Sequence, residues 1–270
     1  MDESARNVIM HDIKKGVILE MLGKGKRMDD RALDEYRKVS VAKDVLDTTE
    51  GSALAKIGGT QVLVGVKIDL ATPFSDRPTE GVFSTNCEFL PLANSTFEPG
   101  PPNENSIELA RVVDRGIRSA EVDGGETSIL DNFFLGEGEG KVMALYVDIY
   151  VLDHTGNLID AAALAAMAAL SCTKIPKYED GKLIRSEIAR TLEPKLFPLA
   201  TTISKIDQFL LADPTIDEMV AGDAKITIST TNDNRVAAIQ KGKGEFSRDE
   251  IMNAVDISFK KGAELRKYIL

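Results

Sequence analysis

The sequence predicts an α+β fold of two related halves, each a sheet followed by helices, on three observations. Residues 51–70, GSALAKIGGTQVLVGVKIDL, are two β-like runs joined at Gly58-Gly59, a strong hairpin signal. Helical patterns follow: an amphipathic segment, NENSIELARVVDRGIRSA over 103–120, and a small-residue one, DAAALAAMAALSC over 160–172. The order then recurs, with strand-like runs after residue 190 leading into a closing helix, although no exact repeat is visible.

Residues 4–22 have helical periodicity through Val8, Ile9, Ile13, Val17, Ile18 and Leu22. The charged stretch that follows contains Lys24, Lys26 and Arg27, which read as a solvated loop in preference to a polyanion contact, and its end reads as a strand start. After the hairpin come a proline-containing loop at 71–80, a strand within 81–92 and a Pro/Gly loop at 93–103. Residues 124–153 read as two strands around a turn containing Gly136, Gly138, Gly140 and Lys141. That turn is not a phosphate loop, because Glu137 and Glu139 repel phosphate and no helix follows. His154 to Asn157 form a turn ahead of the alanine-rich helix, whose small side chains let it lie close to a sheet.

Residues 174–198 are polar, hold Pro176, Pro194 and Pro198, and mark a composition change. A boundary near 190 divides the chain into halves 1–190 and 191–270. In the second half, 200–214, 224–233 and 235–244 supply strands. Ser247 caps the last helix, with Glu250 three residues on completing a capping box.

The 103–120 helix carries the most chemistry. Asn105 is the expected N-cap, and Ile107, Ala110, Val113 and Ile117 the expected core stripe. Arg111, Arg115 and Arg118 share another face, where like charges at i, i+4 cost roughly 0.2–0.5 kcal/mol. Local pairing, Glu108 with Arg111 and Asp114 with Arg118, offsets that cost and is the favoured reading from the helix alone. The competing reading is an anion-binding face, since guanidinium forks match phosphate geometry.

Of the 270 residues, 43% are hydrophobic and 28% charged, enough for a sizeable core in one or two domains. The net charge of −10 requires any nucleic-acid contact to be local or shared with a partner. Two cysteines, Cys87 and Cys172, and two histidines, His11 and His154, suggest neither a disulfide framework nor a zinc site. No apolar leader and no run of eighteen apolar residues is present, so a cytoplasmic protein with no membrane association is expected. No catalytic constellation stands out. Asp148, Asp153, Asp213, Asp217, Glu218 and Asp223 are the acidic candidates for metal or acid–base work, but most sit in ordinary turn sequences, and Asp217 and Glu218 read as surface positions.

Taken in order, the motifs carry a resemblance. A Gly-x-Lys/Arg-x-Asp-x-Arg-like opening precedes a strand, then come IELARVVDRGIR, VDIYVLDHTGN with its alanine helix, LLADPTIDE, and AIQKGKGEFS before the last helix. Together these resemble the RNase PH family of phosphorolytic exoribonucleases from about residue 20 to the end, and more narrowly its non-catalytic branch in the archaeal exosome ring. The resemblance implies an RNase PH-like (ribosomal protein S5 domain 2-like) fold. It implies two departures from active members. Those follow the central-strand aspartate with Gly-Gly-Thr-Arg, which holds the attacking phosphate; here Asp153 precedes His154, Thr155, Gly156 and Asn157. Those also carry Asp-x5-Asp in the second half; here Asp213 is followed at that spacing by Met219, whose thioether neither protonates a leaving oxygen nor binds a hard cation.

The resemblance therefore implies a chain with no catalytic or metal-binding residues of its own. Its expected partners are a catalytic RNase PH-like exosome subunit, in a hetero-hexamer of three dimers, RNA, and RNA-binding cap proteins. Phosphate and Mg²⁺ belong to the partner's active site. By resemblance Arg111 and Arg115 grip the RNA backbone, and Arg118 is the weaker candidate because Asp114 is placed to occupy it. Two alternatives are an active phosphorolytic RNase PH-type enzyme and a binding module unrelated to RNA.

Overall fold

The computed structural model describes residues 14–122, 126–127, 129–130, 133, 135 and 140–270. The first half runs α1 (residues 14–23), β1 (Val39–Lys43), β2 (Gly51–Ile57), β3 (Thr60–Ala71), β4 (Val82–Phe89), α2 (Glu104–Arg118), β5 (Glu121–Val122), β6 (Glu126–Thr127), β7 (Val142–Asp153) and α3 (Leu158–Ser171). A hairpin of β8 (Lys174–Glu179) and β9 (Lys182–Thr191) leads to β10 (Leu199–Ile206), β11 (Phe209–Ala212), α4 (Ile216–Ala221), β12 (Ala224–Thr230), β13 (Val236–Lys241) and α5 (Arg248–Arg266).

The larger sheet has the order β1-β2-β3-β7-β4, antiparallel except where β4 joins β7 in parallel. Its inner face follows the period-2 pattern of strands: Ala53, Ala55 and Ile57 on β2, Val62, Val64, Val66 and Ile68 on β3, and Leu145, Val147, Ile149 and Val151 on β7. The β2–β3 turn closes on Ile57 paired with Thr60, with Gly58 at φ 59°. The smaller sheet has the order β11-β10-β12-β13 and is antiparallel throughout.

Helix α3 touches both β2–β3 and β10, so it lies between the two sheets. Twelve of its fourteen residues are buried, as expected of a helix apolar on every side. Seven alanines and no β-branched residue after Ile159 let both sheets approach its backbone closely. One core results, in which Leu199 and Ala200 of β10 and Leu265 and Ile269 near the C-terminus join the first-half residues.

Several elements differ from the sequence reading. Helix α2 is capped by Asn103, not Asn105: the Asn103 side-chain oxygen accepts from the Ser106 amide at 3.0 Å. Ile107 is 49% exposed, while Leu109 and Val112 are buried. The reason is geometric: Ile107, Arg111 and Arg115 lie on one i, i+4 ridge, whereas the helix packs through the Ser106, Leu109, Ala110, Val113, Gly116, Ile117 side against β4 and α3. In α1, Ile18 and Leu22 pack on Ile206, Leu211 and Ala221, but Val17 is exposed; Val8, Ile9 and Ile13 lie outside the described residues. The polar stretch at 174–198 forms the β8–β9 hairpin, whose second strand is largely exposed. The strand expected within 124–135 and the Gly136–Gly138 turn fall mostly outside the described residues. The Ser247–Glu250 capping box is present in both directions.

Candidate nucleic-acid interface

The three arginines of α2 line one shallow groove of about 590 Å³ with Gln240. Their surroundings separate them. Arg118 donates to both carboxylate oxygens of Asp114, at 3.0 and 2.9 Å, and to the Phe83 carbonyl at 2.7 Å, with its guanidinium 5.4 Å from the Phe83 ring centre. It ties α2 to β4. Arg115 donates from one nitrogen to the Ile239 carbonyl at 2.7 Å and the Gln240 side-chain oxygen at 2.8 Å, tying α2 to β13 while the residue lines the groove. Arg111 is exposed and makes no hydrogen bond or ion pair among the described residues. The expected Glu108–Arg111 pair does not form, so local pairing accounts for Arg118 alone.

On the other flank of α2, the two departures from the active family meet. The Asn157 amide N–H points at the Met219 sulfur, 3.3 Å away. The Asn157 side chain is buried and donates from Nδ2 to Asp160 at 2.8 Å and to Asp213 at 2.9 Å. Asp213 is not the plain turn residue its Asp-Pro-Thr setting suggests. It is fully buried and accepts from the Arg37 backbone N–H at 2.9 Å, from Arg37 Nε at 2.8 Å and Nη2 at 2.7 Å, and from Arg31 at 3.1 Å. Burial alone would raise its pKa, but the Arg37 hydrogen bonds and charge, with help from Asn157, hold it below the ordinary carboxylate value. Each Asp213 oxygen is thus taken by protein donors.

Gly156 makes this junction possible. At φ 113° it packs so close to the start of α4 that a Cβ would lie 2.5 Å from the Pro214 carbonyl oxygen. Its own carbonyl accepts from Thr60 Oγ1 at 2.6 Å and from Arg37 at 3.1 Å. Asp160, which opens α3, accepts from Tyr36 at 2.5 Å and the Thr202 amide at 3.0 Å. Burial nonetheless pushes its pKa up to about 6. The His154 ring is held below the ordinary histidine value first by burial and then by Arg37, against the pull of Asp153, so it is neutral at neutral pH.

Two sequence expectations fail beside this site. Arg27 is not part of a solvated loop; it is 1% exposed and forks onto Glu218 at 2.8 and 2.5 Å while donating to the carbonyls of Ala212 and Asp213. Glu218 is not a surface residue; it is 2% exposed. The Thr215-x-x-Glu218 spacing is a capping box that starts α4 and turns Glu218 inward, a signal that was present in the sequence. Asp217, by contrast, is exposed as expected and pairs with Lys14 at 2.8 Å. Among the described residues no group of His, Cys, Asp and Glu is arranged to hold a metal ion. No helix among them is long and apolar enough to cross a membrane.

Comparison with known proteins places this geometry. Residues 35–176 match domain 1 of the 3′ exoribonuclease family, RNase PH, and residues 197–261 match its domain 2. The exosome complex component Rrp42 of Thermococcus gammatolerans is 44% identical over 268 residues, covering 97% of this chain and 96% of that protein. The Archaeoglobus fulgidus protein of the same name is 43% identical, with 96% of each chain covered. Among solved structures, a chain described as "archaeoglobus fulgidus exosome with RNA bound to the active site" superposes with a TM-score of 0.85 at 42% identity, covering 96% of this chain and 98% of that one. An archaeal exosome core chain gives 0.82 at 38% identity, with the same coverage.

Proposed function

The chain belongs to the RNase PH family of 3′ exoribonucleases, and we propose that it is a non-catalytic ring subunit of an exosome, positioning RNA for a catalytic paralogue. The observation that carries this reading is the contrast between the two flanks of α2. On one flank, the position of the family's chemistry is filled by a thioether against an amide, with the neighbouring aspartate consumed by Arg31 and Arg37. Phosphoryl transfer rests on positioning and charge stabilisation of phosphate, and at these two positions the chain offers Asn157 in place of an arginine for the phosphate and Met219 in place of a carboxylate for Mg²⁺. On the other flank, Arg111 and Arg115 line a groove with guanidinium forks suited to phosphodiester oxygens.

In this reading three copies alternate with three catalytic RNase PH-like chains in the cytoplasm, with RNA-binding cap proteins on one face. Phosphate and Mg²⁺ act at the partner's site during phosphate-dependent 3′-to-5′ shortening. The similarity to exosome component Rrp42 proteins over nearly the whole chain supports the ring role. The test is a purified-chain assay beside a reconstituted one. The chain alone should release no nucleoside diphosphates from RNA with phosphate and Mg²⁺, and should form a hetero-oligomer larger than a dimer with a catalytic paralogue, measured by native mass. Processive phosphorolysis by the pure chain, or a monomer indifferent to that paralogue, overturns the reading.

A further inference from the structure

The three arginines of the α2 groove differ in what holds them, and the difference singles out a fourth residue. Arg118 is paired with a carboxylate, Asp114, which accepts from two of its nitrogens and offsets its charge. Arg111 has no hydrogen-bond or ion-pair partner among the described residues. Arg115 is held by neutral acceptors alone, the Ile239 carbonyl at 2.7 Å and Gln240 Oε1 at 2.8 Å, both on its Nη2. A guanidinium carries donors only, so the amide oxygen of Gln240 must be the atom that meets it. That leaves Gln240 Nε2, with two N–H donors, without a partner among the described residues. Gln240 is also the one residue of the groove wall that does not come from α2.

The fold builds this placement. Strand β13 is the edge of the smaller sheet, and Gln240 pairs with Thr227 of β12. Helix α2 comes down on that sheet at Gly116, where a Cβ would lie 2.8 Å from Ser229 Oγ. The close approach lets the neighbouring Arg115 reach β13. Charge along the groove runs in one direction. Glu104 and Glu108 stand at the N-terminal end of α2, and Arg111, Arg115 and Arg118 follow towards its C-terminal end. An anion is repelled from the first end and held at the second, where Gln240 lies.

We propose that Gln240 is a positioning residue of the RNA groove and a phosphate donor in its own right: Oε1 fixes the Arg115 guanidinium, and Nε2 donates to a phosphodiester oxygen beside it. This rests on the ring-subunit reading and adds to it a neutral residue that spacing on the helix does not reveal. An amide suits the position better than a charged group. A carboxylate would hold Arg115 but offset its charge, as Asp114 does for Arg118, and a lysine would repel it. The amide accepts from the arginine and donates to phosphate. Fixing the guanidinium before RNA arrives also lowers the side-chain entropy lost on binding.

The test uses the complex reconstituted with a catalytic paralogue, reading single-stranded RNA binding by fluorescence anisotropy across salt concentrations, and RNA degradation beside it. Gln240→Leu should weaken RNA binding by about tenfold and raise KM more than it lowers kcat, with the salt slope unchanged because no charge is altered. Gln240→Glu keeps an acceptor for Arg115, so it should preserve stability in urea. It should nonetheless weaken RNA binding more than Gln240→Leu and reduce the log–log salt slope by about 0.7, because Arg115 is then neutralised. A residue that merely ties β13 to α2 would tolerate that carboxylate with RNA binding intact. Combined with Arg115→Ala, Gln240→Leu should cost less than it does alone, since part of its effect passes through Arg115. RNA binding by Gln240→Glu at the unmodified affinity and salt slope overturns the proposal, and so do fully independent effects in the combined variant. If Gln240→Leu does not assemble, Gln240→Glu decides. Arg111→Glu separates the two readings: if it too leaves RNA binding unchanged, the groove itself is wrong, whereas a loss there with intact binding in the Gln240 variants refutes this inference alone.

Discussion

Replacing Glu218 by Ala should destabilise the fold more than any exposed substitution in the second half. The side chains of Arg27 and Glu218 are 0% and 2% exposed. Both carboxylate oxygens accept from the guanidinium, and Oε2 also accepts the Thr215 amide at 2.8 Å. Truncation leaves a buried guanidinium without its counter-charge, which costs about 3–5 kcal/mol. It also opens one side of the α4 capping box, for about 1 kcal/mol more. The sum, roughly 4–6 kcal/mol, is a large part of the 5–15 kcal/mol that typically holds a domain. In a chain of this size it corresponds to a melting temperature lower by about 10–20 °C. Urea unfolding followed by circular dichroism reads the loss directly, with Asp217→Ala as the comparison. Asp217 is exposed and its pair with Lys14 lies in water, so its removal should cost less than about 0.5 kcal/mol. If Glu218→Ala unfolds within about 1 kcal/mol of the unmodified chain, the buried pair does not lock α4 against the residues following α1, and the argument fails.

Four further outcomes follow. In the assembled complex, Arg111→Glu alone should weaken RNA binding and degradation and reduce the log–log salt dependence of binding by about 0.7 without loss of stability, since Arg111 has no protein partner among the described residues; an unchanged slope refutes the anion-binding groove. Arg118→Ala should behave oppositely, costing about 1 kcal/mol in denaturant unfolding through the lost Phe83 and Asp114 contacts, with the salt slope intact. Asp160 has a folded-state pKa raised to about 6, so the stability it contributes is complete below its unfolded pKa near 4 and is lost as pH rises through 6. Between pH 4 and 7 the unmodified chain should therefore weaken relative to Asp160→Asn by on the order of 2–3 kcal/mol, while Asp213, whose pKa is lowered, is ionised across most of that window; parallel pH–stability curves refute it. Gly156→Ala should cost several kcal/mol, on the order of 3 or more, from positive φ and the Pro214 clash together, checked by thermal unfolding.

The parts of the fold legible in the sequence are those set by local periodicity. The Gly58-Gly59 hairpin, the long apolar β7, the alanine helix and the Ser247–Glu250 cap each carry their signal within a few residues, and each stands where that signal places it. The errors have two origins. Some are local signals passed over: Thr215-x-x-Glu218 has the same form as Ser247-x-x-Glu250 but sits after Asp-Pro, where turn chemistry masks it. Others are tertiary. Nothing near Arg27 in the chain reveals that it reaches carbonyls at 212 and 213, and an arginine among lysines reads as solvated until its distant partner is known. The polar β9 has little of its surface buried, so composition alone gives it the character of a linker.

The arginine helix shows why the site was only partly legible. Spacing puts Arg111, Arg115 and Arg118 on one face but treats them as equivalent, because helical periodicity carries no information about which strand ends above each turn. Arg118 lies over Phe83 of β4, a residue that precedes it by 35 positions, and that carbonyl with Asp114 consumes its donors. Arg115 meets the Ile239 carbonyl and Gln240 of β13, 124 and 125 positions downstream, and spends one of its nitrogens there. Arg111, one turn before Arg115, has no hydrogen-bond or ion-pair partner among the described residues. The same backbone repeat thus yields a clamp, a half-committed residue and a guanidinium with no partner among the described residues. That difference in partners, and not the number of arginines, determines where a phosphate can add hydrogen bonds without first breaking one in the protein. It makes Arg111 the position at which charge reversal separates RNA binding from folding.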